Sequence, residues 1–177
     1  MDNKYKFWLG GFTEGEGSLS ISIVKFDKAP HGIFLQPEFN VAQHYNGITI
    51  LKSFKVLFNN FHGLRPWKSK VNDKGQLHKK SGSDKVWVYS LKGIKNLNEL
   101  IIPFFLSFVV PYSSKYCEKE FNKYLFILNK LKEKSKYEKN EFISIIKLIY
   151  NLNPQGKGNK RKRTLAEILS IIEEKKY

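Results

Sequence analysis

Cysteine, acidic residues and long apolar runs are all scarce in this chain of 177 residues. The single cysteine, Cys117, has no partner within the chain, which excludes an intrachain disulfide framework and a zinc site built on cysteines. The most apolar stretch, Leu100 to Pro111, is about half the ~20 residues that a membrane span needs, and two prolines interrupt it. We therefore expect a soluble protein of a reducing compartment, with no membrane partner.

Basic residues, in contrast, are abundant. The chain has 31 Lys and Arg against 16 Asp and Glu, a formal net charge of +15. Such an excess indicates a polyanionic partner and specifies no fold. Aromatic residues make up 15% of the chain, which excludes disorder for most of it. The length of 177 residues fits one domain, or at most two small ones.

Hydrophobic periodicity predicts a helix from Lys4 to Gly17 and then a strand through Leu19–Val24. A second strand is predicted at Leu35–Gln43, followed by a helix that Asn46 caps. The remaining predicted elements are a strand pair, Leu64–Lys70 and Val86–Leu91, around a basic loop, Asn72–Lys85, and helices at Asn96–Phe105, Cys117–Lys132, Glu138–Tyr150 and Thr164–Lys175. Thr164 and Glu167 have the spacing of a capping box. This order predicts an α+β fold with an antiparallel sheet.

Two acidic residues, Glu14 and Glu16, fall in the last turn of the first predicted helix. The helix dipole disfavours acids there by about 0.3–1 kcal/mol each, and unpaired carbonyl oxygens gather in the same turn. Carboxylates with free carbonyls suit a hard cation such as Mg²⁺. A surface helix end whose glutamates pair with nearby lysines is the alternative. A phosphate-binding glycine loop is excluded, because the two carboxylates would repel the phosphate.

The same helix is unusually rich in glycine. Gly10, Gly11, Gly15 and Gly17 each cost about 1 kcal/mol of helix stability relative to alanine. Gly11 and Gly15 share one helix face with two aromatic residues. The pattern favours close approach of another backbone.

Residues Leu9–Gly17 resemble the motif that names the LAGLIDADG homing endonucleases, with Glu at both acidic positions. Counterparts of other family segments follow in order: the strand after Ser18, the strand ending at Gln43, Pro111–Lys115 and the basic run Lys160–Arg163. The resemblance implies one LAGLIDADG endonuclease domain over residues 1–177. Its fold would be α-β-β-α-β-β-α, with a curved antiparallel sheet that forms a DNA-binding saddle, and C-terminal helices.

The resemblance also implies roles for individual residues. Glu16 matches the metal-binding acid and the Gly15 carbonyl the backbone ligand, with Mg²⁺ or Mn²⁺ as the cofactor. Gln43 matches the residue that orients water, and Lys115 the pocket lysine that offsets charge on the cleaved phosphate. Glu14 matches an acidic position that is more often structural. A single motif implies a homodimer, whose interface would contain Trp8, Gly11, Phe12 and Gly15.

The resemblance further implies that the sheet recognises DNA, since antiparallel strands can lie in the major groove and read base edges. Strand parity and the resemblance nominate Ser20, Ser22, Val24, Gln36, Glu38, Asn40, Lys68, Lys70, Val88 and Ser90. Phosphate contacts are expected from the basic run, namely Lys160, Arg161, Lys162 and Arg163.

The function implied is that of a homodimeric, intron-encoded endonuclease that cuts double-stranded DNA at a long pseudo-palindromic target. One alternative is a maturase of the same fold that binds intron RNA and assists splicing. Another is a basic structural RNA-binding protein without catalysis. Heavy use of Lys, Asn, Ile, Phe and Tyr suggests AT-rich coding, so we expect an organelle, the mitochondrion ahead of the chloroplast.

Overall fold

The computed structural model describes residues 2–59, 75–133, 136–153 and 161–175. The elements are α1 (Asn3–Glu16), β1 (Gly17–Lys25), β2 (Ile33–His44), α2 (Ile48–Asn59), β3 (Gln76–Lys79), β4 (Val86–Lys92), α3 (Ile94–Tyr112), α4 (Lys115–Glu133), α5 (Lys139–Tyr150) and α6 (Leu165–Glu174). This order confirms the predicted α-β-β-α-β-β-α arrangement with C-terminal helices.

The four strands form an antiparallel sheet in the order β1-β2-β4-β3. The register of the first pair runs from Gly17 opposite Val41 to Lys25 opposite Ile33. On its other side β2 pairs with β4, beginning with Glu38 opposite Lys92. Because side chains alternate along each strand, the sheet has one face toward the helices and one open face.

The helix-facing side of the sheet carries the main core. Phe39 lies at its centre, fully buried, with its ring edge-on to Phe54 and Phe58 of α2 and to Phe105 of α3. Such edge-to-face contacts add to the stabilisation that apolar burial gives. The sheet residues buried on this side are Ile21, Phe39, Val41, Tyr89 and Leu91. The core therefore fixes which strand positions remain on the open face.

Helix α3 runs through the middle of this core. By length and composition it is long and apolar enough to cross a membrane. Its inward side chains instead pack in the main core, among them Leu97, Leu100, Ile101, Phe104, Phe105 and Val109. Two π-helical turns flank Pro103, which lacks the N–H for an i→i−4 bond. The helix is thus longer than the predicted Asn96–Phe105.

A second, smaller core holds the far end of the β1–β2 hairpin against the last two helices. It contains Ile33, Phe142, Ile146, Ile168 and Ile172. Beside it, buried His31 stacks on Phe142 and its Nε2 lies 2.9 Å from the Tyr137 carbonyl oxygen. At the start of α6 the predicted capping box is confirmed, with Thr164 and Glu167 bonded in both directions.

Two local predictions are corrected by the structure. The strand that pairs with β4 is Gln76–Lys79, inside the predicted loop Asn72–Lys85, whereas Leu64–Lys70 lies outside the described residues. Only Leu77 of β3 is apolar, so periodicity did not reveal this short strand. The second correction concerns Asn46, which belongs to a 3-10 turn before α2 and donates its backbone N–H to His44 Nδ1.

Candidate functional site

Glu16 is the last residue of α1 and is exposed. Gly17 leaves the helix with an extended backbone, enters β1, and donates its N–H to the Thr13 carbonyl oxygen. Within the described ranges, the Glu16 carboxylate makes no hydrogen bond or ion pair. Both of its oxygens are therefore accessible to a ligand.

Glu14, two residues before Glu16, has a different environment. Its Oε1 accepts a hydrogen bond of 2.7 Å from the backbone N–H of Ser114. The Ser114 hydroxyl in turn accepts the backbone N–H of Cys117, at the start of α4. Glu14 thus joins the end of α1 to the beginning of α4, a structural contact, whereas Glu16 has no such bond to the described part of the chain.

Gln43 and Lys115 lie at the same end of the sheet as Glu16. Gln43 is two residues past Val41, the partner of Gly17, which is roughly 7 Å along the strand. Lys115 directly follows Ser114, so the bond from Ser114 to Glu14 holds it near the end of α1. Its side chain is 98% exposed, and Nζ lies 3.4 Å from Glu118 Oε2.

The oxygen atoms at this end of the sheet are of the type that a hard divalent cation binds. Glu16 offers a carboxylate, and the last turn of α1, including Gly15, offers backbone carbonyl oxygens without helical partners. Among the described residues, no three His, Cys, Asp or Glu side chains come together as a metal site.

The glycines of α1 divide into two groups. A Cβ atom at Gly10 would lie 1.9 Å from the Phe108 carbonyl oxygen, so Gly10 permits close packing of α1 on α3. Cβ atoms at Gly11 and Gly15 would meet nothing within 4 Å. The absence of side chains at these two positions is not required by any contact in the described part of the chain.

Aromatic residues flank these outward glycines. Trp8 is 48% exposed and stacks on Tyr5 and Phe12, each at 5.5 Å between ring centroids. Phe12 is half-buried and contacts Phe54 of α2. Of the predicted interface residues, Trp8, Gly11 and Gly15 are exposed, and Phe12 lies partly in the core.

Most nominated DNA-reading residues that the structure describes lie on the open face of the sheet. These are Ser20, Ser22, Val24, Gln36, Glu38, Asn40 and Val88. Ser90 has the right parity but is only 4% exposed, which corrects its nomination as an accessible contact. Its short side chain lies between two longer ones, Asn40 and Gln76. Lys68 and Lys70 lie outside the described residues.

Lys92 is an open-face residue that the sequence reasoning missed. It is opposite Glu38, one position beyond the predicted strand end at Leu91. Extending the alternation of Val88 and Ser90 by one step would have found it. The Lys92 ammonium lies 3.6 Å from Glu38 Oε2.

The basic run before α6 is not uniformly exposed. Arg161 is half-buried, and its guanidinium donates to the carbonyl oxygens of Ile149 at 2.7 Å and Ile21 at 3.4 Å. It also lies over the Tyr150 ring, and burial lowers its pKa. Arg161 thus braces β1 against α5, which corrects its expected role as a free phosphate contact. The sequence shows which residues are charged but not how deeply each one is buried.

The rest of this run has two exposed members. Lys162 and Arg163 are both exposed, as predicted for residues that contact phosphates. Lys160 lies outside the described residues.

The LAGLIDADG endonuclease family model matches residues 9–125, from the α1 motif through the sheet and into α4. The chain belongs to the LAGLIDADG endonuclease family. It is 35% identical over 114 residues to DNA endonuclease I-CeuI of Chlamydomonas moewusii. That alignment covers 64% of this chain and 46% of the relative, so it spans about half of the relative's length.

Solved structures share the whole fold. The group I intron-encoded homing endonuclease I-CeuI complexed with DNA matches with a TM-score of 0.78 and 26% identity, over 97% of this chain and 77% of that one. The archaeal intron-encoded homing endonuclease I-Vdi141I complexed with DNA matches with a TM-score of 0.76 and 23% identity, over 98% and 97%. The homing endonuclease I-TnaI matches with a TM-score of 0.73 and 21% identity, over 97% of this chain and 99% of that one. The predicted fold and family are confirmed.

Proposed function

We propose that this protein is a divalent-metal-dependent endonuclease that cuts both strands of a long, pseudo-palindromic DNA site. The observation that carries the proposal is the Glu16 carboxylate at the end of the motif helix, which makes no hydrogen bond or ion pair with the described residues and lies at the same end of the sheet as Gln43 and Lys115. A protein that only binds nucleic acid has no need of a free acid at a helix end. The relative I-CeuI is a DNA endonuclease, and its structure was solved with DNA bound.

The active form is a homodimer in this proposal, joined through the outward face of α1. Gly11 and Gly15 leave room for a second helix backbone, and exposed Trp8 beside them gives apolar area to bury. A two-fold axis there brings the two Glu16 carboxylates together. Like charges so close repel unless cations lie between them, which explains a metal requirement. Each chain then completes the other's coordination shell.

The chemistry is divided among a few groups. Glu16 and the Gly15 carbonyl oxygen would hold Mg²⁺ or Mn²⁺, and the cation, when bound, would activate water and stabilise the leaving oxygen in phosphodiester hydrolysis. Gln43 orients the attacking water by hydrogen bonding. Lys115, with its exposed ammonium, offsets the charge that develops on the phosphate.

Target binding combines two kinds of contact. The open face of the sheet lies in the major groove, where its side chains read base edges. Exposed Lys162 and Arg163 contact phosphates, which orient the protein without reading sequence. Because these contacts release counterions, we expect affinity to fall steeply as salt rises.

The decisive experiment uses a plasmid that carries the intron-less insertion sequence of the host gene. Linearisation with Mg²⁺ and its loss with EDTA support the nuclease. Failure to cut, together with tight binding of the intron RNA, supports the maturase instead. A plasmid in which the insertion site is interrupted by the intron is the matched control, because the split target is not cut.

We also propose that the gene belongs to an organelle genome, with the mitochondrion as the first candidate and the chloroplast as the second. It rests on the high share of residues encoded by AT-rich codons, such as Lys, Asn, Ile, Phe and Tyr. Sequencing the DNA around the gene tests it, and a nuclear locus would contradict it.

A further inference from the structure

Glu38 stands out on the open face of the sheet because of its charge. It is the one carboxylate on that face among the described strands, in a protein with a net charge of +15. A carboxylate directed at DNA opposes phosphate attraction, so its position needs a compensating partner. Lys92, opposite on β4, provides one at 3.6 Å.

The Glu38 carboxylate has three polar neighbours. The hydroxyls of Ser20 and Ser22 on β1 lie 3.5 and 3.4 Å from Oε1, in position to donate to it. The other oxygen, Oε2, faces the Lys92 ammonium. Three groups from two neighbouring strands thus surround the carboxylate, and a negative acceptor lies beside a positive donor on the surface.

The pair remains accessible from the open side. The Glu38 side chain is 16% exposed and the Lys92 side chain 48% exposed. A carboxylate oxygen has two lone pairs, so Oε2 can accept a further donor while it faces Lys92. The ammonium carries three donors and has two more to offer.

This donor and acceptor pattern matches one base pair. In the major groove, cytosine presents an amino donor at N4 beside the two guanine acceptors, O6 and N7. We propose that Glu38 accepts from cytosine N4 while Lys92 donates to guanine O6 and N7, so that the pair reads one C·G base pair in each half-site. This inference rests on the proposed DNA recognition by the sheet.

An A·T pair fits this arrangement less well. Adenine N6 could donate to Glu38, but thymine offers Lys92 a single acceptor, O4, next to a methyl group. A reversed G·C pair presents acceptors to Glu38 and a donor to Lys92, which repels both. The pair should therefore discriminate most strongly against G·C and less strongly against A·T.

Binding selection from a randomised double-stranded DNA library, run in EDTA, tests the proposal without requiring cleavage. We expect the unmodified protein to enrich C·G at one position per half-site. Glu38→Gln and Lys92→Met should each lower that preference about tenfold. The matched control is Glu173→Gln, which removes the same charge from an exposed position on α6 and should leave the selected sequence unchanged.

The charge swap Glu38→Lys with Lys92→Glu is the sharper variant. We expect it to invert the preference at that position from C·G to G·C. If the swapped protein does not fold, as judged by circular dichroism, the single variants decide. A selected sequence identical for the unmodified protein and Glu38→Gln overturns the proposal, as does the absence of any enriched sequence. Loss of Mg²⁺-dependent cutting with an intact C·G preference overturns the nuclease alone.

Discussion

The carboxylate of Glu14 and the backbone N–H of Ser114 are 100 residues apart in sequence and form a 2.7 Å hydrogen bond. This bond connects the end of α1, with Glu16, to the start of α4, with Lys115. The two acids of the motif therefore have separate tasks. Glu14 positions the elements, and Glu16 faces outward.

Replacing Glu14 should reduce stability. Glu14→Ala leaves the Ser114 N–H without its acceptor, and we expect a loss of about 1 kcal/mol in the free energy of unfolding. Glu14→Gln keeps an oxygen acceptor and should lose less. Urea unfolding measures both. Equal stability of Glu14→Ala and the unmodified protein would show that the bond has no net effect.

Replacing Glu16 should reduce activity without reducing stability. Glu16→Gln removes the charge that holds the cation, so we expect cutting to be abolished while DNA affinity stays within about tenfold. Stability should not fall, because no contact within the described chain is lost. Plasmid linearisation, gel-shift titration and urea unfolding measure the three quantities. Full cleavage by this variant would remove Glu16 from the mechanism.

The glycines of α1 should respond in opposite ways. Gly10→Ala forces a Cβ atom against the Phe108 carbonyl, and we expect a destabilisation of about 2 kcal/mol. Gly11→Ala meets open space and should stabilise an isolated subunit by about 1 kcal/mol through helix propensity. It should also weaken dimerisation, which sedimentation velocity measures. Unchanged association of Gly11→Ala and of the bulkier Gly11→Leu would contradict a dimer through this face.

Substitutions at Arg161 and Lys162 should have different effects, although the two residues are adjacent in sequence. Arg161→Met removes hydrogen bonds to two backbone carbonyls, so we expect a loss of about 2 kcal/mol in unfolding free energy. Lys162→Met, at the exposed position beside it, should change stability by less than about 0.5 kcal/mol. Lys162→Met should instead lower the slope of log affinity against log salt by about one. A stable Arg161→Met variant with a reduced salt slope, together with an unchanged slope for Lys162→Met, would instead make Arg161 the DNA contact.

The capping box predicts a pH dependence of stability. Hydrogen bonds from the Thr164 backbone and hydroxyl lower the pKa of the Glu167 carboxyl. Because the folded pKa is depressed, the stabilisation is complete above the unfolded value of about 4.3 and is lost as pH falls through the folded value. The Tm gap between the unmodified protein and Glu167→Gln should be widest near neutral pH and close in acid. A gap independent of pH would contradict this linkage.

The sequence predicted elements well where local signals are strong. Period-two alternation located β1 and β2, and the spacing of Thr164 and Glu167 located the start of α6. It failed at β3, because a four-residue strand with one apolar side chain, Leu77, has no detectable period. The strand forms because β4 supplies its hydrogen-bonding partner, which is a tertiary effect.

At the candidate site, the sequence indicated residue types and the fold supplied their environments. Charge alone could not distinguish half-buried Arg161 from exposed Lys162, because the extent of burial depends on where α5 and β1 meet. Parity placed Ser90 on the correct face but could not reveal that its neighbours cover it. Likewise, the hydrogen bond that holds Glu14 comes from Ser114, 100 residues away in sequence, so local sequence could not reveal it.

The small core of Ile33, Phe142, Ile146, Ile168 and Ile172 anchors the outer tip of the β1–β2 hairpin. If the open face contacts DNA as we propose, a surface held in this way has already lost its conformational freedom when the chain folds, so little ordering entropy remains to oppose association with DNA. The same anchoring separates the residues that maintain shape from those that face outward. Under the same proposal, new sequence preferences can arise by exchange of open-face side chains, while the small core keeps the hairpin in place.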